Sequence, residues 1–263
     1  MFKKTLIYIV GAALLSLSGC SDEERMRFAG TDEAISVRSE SPDKVRYMTM
    51  ACKVSDEAMR LGMEKAKPGM TELQLQKIIE DHFKTRGYGL SFPTISVAGR
   101  GTSYVHGVPG KRKIRTDDII MVDEGAKYLG KGGPWCCDIT RTYFIGSPTS
   151  QQLMAFILVK EAQAIALDVV KAGVRGGDVD KAARDFLHKH GYSIPHSVGH
   201  GVGRKIHERP NIGPGSRDVL KVGDVITVEP GVYLKRHGFG VRIEDTVVVT
   251  KDGYRSLTNT DRM

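Results

Sequence analysis

Apolar positions recur along this chain with two periods, and each change of period marks an element. From Pro42 onward a helix is predicted that carries Val45, Met48, Cys52, Met59 and Leu61. Ser41 suits its N-cap, Pro42 the first helical position and Asp43 the first turn. A second long helix is predicted over about 150–170. Short apolar runs read instead as strands: 119–122, Thr142-Tyr-Phe-Ile145, 225–228 and Val247-Val-Val249.

The pattern occurs twice. Lys67-Pro-Gly-Met-Thr through Gly87-Tyr88 aligns without gaps on Lys171-Ala-Gly-Val-Arg through Gly191-Tyr192. Each stretch predicts a turn, an amphipathic helix and a Gly-Tyr stop. The apolar stripe takes Leu73, Ile78, Ile79 and Phe83 in the first, and Val179, Ala182, Ala183, Phe186 and Leu187 in the second. Further on, Asp118-Ile-Ile-Met-Val-Asp123 aligns on Asp224-Val-Ile-Thr-Val-Glu229, and Cys137-Asp138-Ile-Thr on Ile243-Glu244-Asp-Thr. The first acid precedes the second by 15 residues in both halves. Two similar α/β halves follow, roughly 42–148 and 149–260. Each needs the other to cover its sheet, so 42–260 is read as one domain. Gly99–Gly101 and Gly199–Gly203 are expected in loops near the site, with 132–137 on its rim.

Asp123 and Glu229 each end an apolar strand. A buried, unpaired carboxylate costs several kcal/mol. Four acids converging from two halves repel one another too strongly for salt bridges alone, and divalent cations resolve that conflict. An imidazole is at hand in His196-Ser-Val-Gly-His200-Gly-Val-Gly203, with His207 close behind. Glycines beside His200 let backbone and ligand approach closely. Mixed carboxylate and imidazole donors suit Mn, Fe, Co or Zn. His82, His188, His190 and His237 fall on helices or a polar turn and receive no role.

Composition narrows the class. Hydrophobic content of 40% and charged content of 27% are those of an ordinary globular chain. A net charge of +8 without a basic run gives no ground for a nucleic-acid partner. Lys3-Lys4, the apolar stretch 5–17 and Leu17-Ser-Gly-Cys20 read as a signal peptide over 1–19, too short for a stable membrane span. That ending resembles a lipobox, which implies lipidation of Cys20, a polar tether over 20–41 and a membrane anchor. The predicted location is the bacterial cell envelope, on the periplasmic or extracytoplasmic side. Cys52, Cys136 and Cys137 are then odd in number and lack zinc-type spacing, which leaves their redox state open.

The ordered set His106-Gly-Val-Pro109, Asp123, Cys137-Asp-Ile-Thr-Arg-Thr142, His196 through Glu208, Val228-Glu-Pro-Gly231 and Val241-Arg-Ile-Glu-Asp-Thr246 resembles the pita-bread metallopeptidases. These include methionine aminopeptidases, Xaa-Pro aminopeptidases and prolidases, and the fold is shared with creatinases. The resemblance spans 42–260. It implies an α/β (α+β) pita-bread fold of two pseudo-symmetric halves, each with helices packed on an antiparallel sheet. It also implies two divalent metal ions: Asp123 on one, His200 and Glu229 on the other, and Asp138 and Glu244 on both. A hydroxide activated between them would attack the scissile carbonyl, with Glu229 shuttling the proton. His106 and His207 would hydrogen-bond the substrate carbonyl or tetrahedral intermediate. His196 and Arg242 match the proline-specific branch and would serve in substrate binding. The implied activity is aminopeptidase action on peptides, of Xaa-Pro type. Methionine aminopeptidase activity is the alternative, and a non-catalytic binding module is disfavoured by the complete ligand set.

Overall fold

The computed structural model describes residues 42–262. The predicted signal segment 1–19, the lipidation site Cys20, the tether 20–41 and the Ser41 cap lie outside the described residues. Helix α1 (Pro42–Lys65) begins with an acidic first turn and ends on a lysine, as the helix dipole favours. Helix α2 (Glu72–Thr85) starts with a capping box: the Thr71 hydroxyl accepts from the Gln74 amide, and the Gln74 side chain accepts from the Thr71 amide. It stops at Gly87, whose φ of +77° is cheap only for glycine. In the second half, α3 (Ser150–Val169) carries the same capping box on Thr149 and Gln152. Helix α4 (Gly176–Lys189) stops at Gly191 with φ +79°. The repeat seen in the sequence is therefore also a repeat of backbone geometry.

The strands are β1 (Gly89–Leu90), β2 (Ile95–Ala98), β3 (Ile119–Glu124), β4 (Ala126–Tyr128), β5 (Trp135–Cys136) and β6 (Ile139–Phe144) in the first half. The second half supplies β7 (Gly199–Gly201), β8 (Glu208–Ile212), β9 (Val225–Val228), β10 (Gly231–Leu234), β11 (Phe239–Arg242), β12 (Asp245–Val249) and β13 (Tyr254–Ser256). The first half pairs β2-β3-β6, all antiparallel. The second repeats this as β7-β9-β12 and adds β8 and β13 at the edges. Between the two acids of each half stands a hairpin, β4-β5 or β10-β11. Gly199–Gly201 is thus a strand where a loop was expected.

Strand β3 is buried along its whole length, and its alternation feeds two cores. Ile120 and Val122 pack with Met59, Leu75, Ile79 and Phe83 of α1 and α2. Ile119 packs instead with the second-half core of α3, α4, β9 and β12, around Val159, Leu167, Leu187, Ile226 and Val247. A third cluster joins Met48, Cys52 and Cys137 to Val225, Val248 and Leu257, so apolar contact runs across the halves. Leu73 departs from its predicted place on the buried stripe: it is 41% exposed. Among the described residues, no helix is long and apolar enough to cross a membrane.

Phe83→Ala is expected to cost about 3–5 kcal/mol, since it empties a fully buried site. Leu73→Ala should stay within about 0.5 kcal/mol. Denaturant unfolding of the two variants against the parent chain checks both, and comparable losses would contradict this packing.

Candidate metal centre

The fold places its acids by strand ends. Asp123 lies on β3, opposite Thr140 of β6, and Asp138 sits just before β6. Glu229 directly follows β9, and Glu244 directly precedes β12, which is its antiparallel neighbour. The halves are then stitched together. The Glu244 amide donates to the Thr140 carbonyl (3.1 Å), the Thr246 hydroxyl to the Asp138 carbonyl (2.7 Å), and the Thr142 hydroxyl to the Arg242 carbonyl (2.8 Å).

Four carboxylates and one imidazole meet at this seam. Asp138, His200 and Glu244 present ligand atoms that all lie within 4.8 Å of one another. His200 Nε2 is 3.3 Å from Glu229 Oε1 and 3.6 Å from Asp138 Oδ2. His200 rides on β7, where a side chain at Gly199 would strike the Thr227 carbonyl and one at Gly201 the Arg209 carbonyl. The two glycines let neighbouring strands close around the histidine.

Hydrogen bonding sets the state of each donor. His200 Nδ1 lies 3.1 Å from the Gly201 carbonyl, which can only accept, so Nδ1 carries the proton. Burial pushes the ring pKa down to about 4, which leaves it neutral with the Nε2 lone pair facing the acids. Asp123 Oδ2 accepts from Arg242 Nη2, while its Oδ1 is buried with no partner. Glu244 Oε2 accepts from the Thr140 hydroxyl (2.7 Å), while its Oε1 is buried with no partner. Each of these carboxylates is held by one oxygen and offers the other.

Burial and the neighbouring Glu244 carboxylate push the Asp138 carboxyl well above its usual range. Burial and Glu229 do the same to Glu244. Burial raises Glu229 to about 7, against the pull of Arg242. Such a cluster needs either protons or cations. Two free, buried carboxylate oxygens and an aimed imidazole lone pair fit divalent cations.

Arg242 lines the cleft with its guanidinium already hydrogen-bonded to protein groups. It is 2% exposed, and its donors go to Asp123, to the Tyr233 hydroxyl (2.8 Å), to the Val105 carbonyl (2.9 Å) and to Thr140 Oγ1 (3.0 Å). His196 is similarly committed. Its Nδ1 donates to the Ser197 carbonyl (2.7 Å), so Nε2 accepts from Tyr233, 2.9 Å away. Burial lowers its pKa to about 4, which keeps the ring neutral. Both residues line the cleft, and linked through Tyr233 they also brace Asp123.

His106 and His207 are exposed and line the same cleft as the acids. The His207 ring stands edge-on to His200, with centroids 4.4 Å apart. Of 132–138, only Asp138 lines the cleft, so the expected rim at 132–137 does not form. The hairpin packs on α1 instead, with Tyr128 stacked on Tyr47 at 4.7 Å. Cys52, Cys136 and Cys137 are buried free thiols.

Sequence reasoning missed Tyr233 and Thr140. Thr140 carried a readable signal: it lies two residues past Asp138 on a strand, hence on the same face as the acid. Tyr233 carried none, because its partners come from segments remote in the chain.

A family described as Metallopeptidase family M24 matches residues 46–251. An Xaa-Pro dipeptidase of Pyrococcus furiosus is 37% identical over 223 residues, which cover 84% of this chain and 63% of that protein. Among solved structures, a prolidase from Pyrococcus horikoshii matches with a TM-score of 0.81 at 35% identity, covering 85% of this chain and 64% of its own. An X-Pro aminopeptidase from Thermotoga maritima matches with a TM-score of 0.81 at 32% identity, covering 92% and 66%. The chain spans just under two thirds of the Pyrococcus relatives, and its architecture is their pita-bread fold.

Thr140→Val removes the donor that orients Glu244 while keeping its volume. It is expected to weaken Mn binding by about 10–100-fold, as lost outer partners of metal ligands commonly do. Calorimetric titration of Mn into both proteins reads this, and equal affinities would contradict the orienting role.

Proposed function

The chain belongs to metallopeptidase family M24, and on that footing we propose that it is a metal-dependent aminopeptidase that removes N-terminal residues from peptides, of Xaa-Pro type. The observation that carries this reading is the convergence of Asp138, His200 and Glu244 beside Glu229, with Asp123 turning a free oxygen inward. In the reading we favour, two divalent cations (Mn, Co, Fe or Zn) are held there. Asp123 belongs to one, His200 and Glu229 to the other, and Asp138 and Glu244 to both. Bound divalent cations supply Lewis acidity and make water easy to deprotonate near neutral pH.

The chain's own residues do the rest. Glu229, steadied by the Thr227 hydroxyl at 3.3 Å, takes a proton from the attacking water and passes it to the leaving amine. His106 and His207, exposed in the cleft, donate to the carbonyl oxygen as it gains charge. Arg242, tied to Tyr233 and through it to His196, holds Asp123 in place. The names of the relatives, Xaa-Pro dipeptidase and X-Pro aminopeptidase, support the proline branch over the methionine one.

We also propose that Cys20 is lipidated and anchors the catalytic domain outside the cytoplasmic membrane. The support is the sequence pattern of residues 1–20.

With added Mn or Co, the purified protein should cleave Xaa-Pro peptides and spare Met-Ala, and Asp138→Ala should abolish turnover. Cleavage of Met-Ala alone would move the chain to the methionine branch. Undiminished turnover in the variant would sink the shared-ligand assignment. Cys20→Ala should shift the protein from the membrane to the soluble fraction of expressing bacteria, and an unchanged distribution would remove the anchor.

A further inference from the structure

The cleft that holds the acids has a volume of about 920 Å³, toward the top of the roughly 300–1,000 Å³ typical of sites for drug-sized ligands. That is more room than a dipeptide needs. Its furnishing is also one-sided. Among the described residues lining it, Arg242 is the only arginine and there is no lysine. Arg242 is spent on Asp123, Tyr233, Val105 and Thr140, and is 2% exposed. His196 has both ring nitrogens engaged, and the exposed His106 and His207 are the donors assigned above to the carbonyl oxygen of the cleaved bond.

A dipeptide carries its terminal carboxylate on the residue directly after the cleaved bond. Gripping it there takes a free cation or several free donors, since a desolvated carboxylate without partners is costly. The mouth of the cleft offers the opposite surface. Leu73 of α2 is 41% exposed and Val108 is 85% exposed, and both line this cavity together with Phe92 and Pro93. Exposed apolar side chains gathered at a cleft mark a place where apolar surface is covered by a ligand.

Resting on the aminopeptidase reading above, we propose that the cleft selects peptides longer than two residues. An apolar side chain downstream of the cleaved bond lies against Leu73 and Val108, and the terminal carboxylate receives no ionic contact. Continuity decides the occupant: the apolar wall and the acids line one cavity, so a peptide held at the acids extends over the wall. Leu73 is accordingly a specificity residue. This explains why a leucine stands on the open face of a helix whose buried stripe is already filled by Leu75, Ile79 and Phe83.

The test uses the full chain with Mn and compares kcat/KM for Ala-Pro, Ala-Pro-amide, Ala-Pro-Leu and Ala-Pro-Asp, with Met-Ala and its amide in parallel. The amide should exceed its free acid by about tenfold or more, and Ala-Pro-Leu should exceed Ala-Pro-Asp by a similar factor, each factor of ten being about 1.4 kcal/mol. Leu73→Asp should erase the preference for Leu over Asp. A free dipeptide cleaved as well as its amide, or a Leu preference that survives Leu73→Asp, would overturn the proposal. Failure to cleave any compound in either series would overturn the aminopeptidase reading, and this proposal with it.

Discussion

Negative charge at the seam between the two halves is the constraint on which the structure turns. Strand ends, locked by their own ladders and by cross-half bonds from Thr142 and Thr246, hold ligand atoms of Asp138, Glu244 and His200 within 4.8 Å of one another, and Glu229 and Asp123 line the same cleft. Left alone, such a cluster would take up protons or swell. The chain answers with a limited set of cations and donors, and leaves the remaining demand to be met by metal.

Glu244 and Asp245 show how that division is made. They are neighbours on the chain, and they point to opposite sides. Burial works against the charge of Asp245, yet Arg141 and Arg262 together bring its carboxyl below the usual range. Gln163 and Thr258 complete its partners, so Asp245 is a satisfied structural anion. Glu244 receives a single hydroxyl, from Thr140, and keeps one oxygen bare. At the start of β12 one acid is neutralised by protein, and the acid before it is left with an oxygen free for a cation. Arg141 also donates to the carbonyls of Glu244 and Thr260, so it braces the ligand's backbone as well as its neighbour.

The same economy reaches the periphery. Asp56 of α1 accepts from the amides of Asn259 and Thr260, which pins the C-terminal segment under the site, where Arg141 and Arg262 can meet Asp245. Helix α1 therefore contributes in two ways: through its apolar face and through one buried acid. Its packing and the electrostatics of the seam are parts of one arrangement.

The duplication, the helix stops and the cluster of Asp138, His200 and Glu244 were legible in the chain, because each leaves a local signal. Glycines at 87 and 191 end helices through their own φ, and an acid ending an apolar run announces a buried charge. Tertiary structure decided what depends on partners far away in sequence. Arg242 could be read as a site residue, but its bonds to Thr140 and Val105, 102 and 137 residues distant, could not. The bond between His196 and Tyr233, 37 residues on, is likewise a product of tertiary structure. Gly199–Gly201 carries the local signature of a loop, and pairing with β8 and β9 made it a strand. Leu73 was read into the buried stripe, but it lies two residues before Leu75, turned away from the side of the helix that Leu75, Ile79 and Phe83 share, and it lines the cleft. Local propensity sets which elements form, while the phase of a helix and the spending of a side chain's hydrogen bonds exist only once the elements have met.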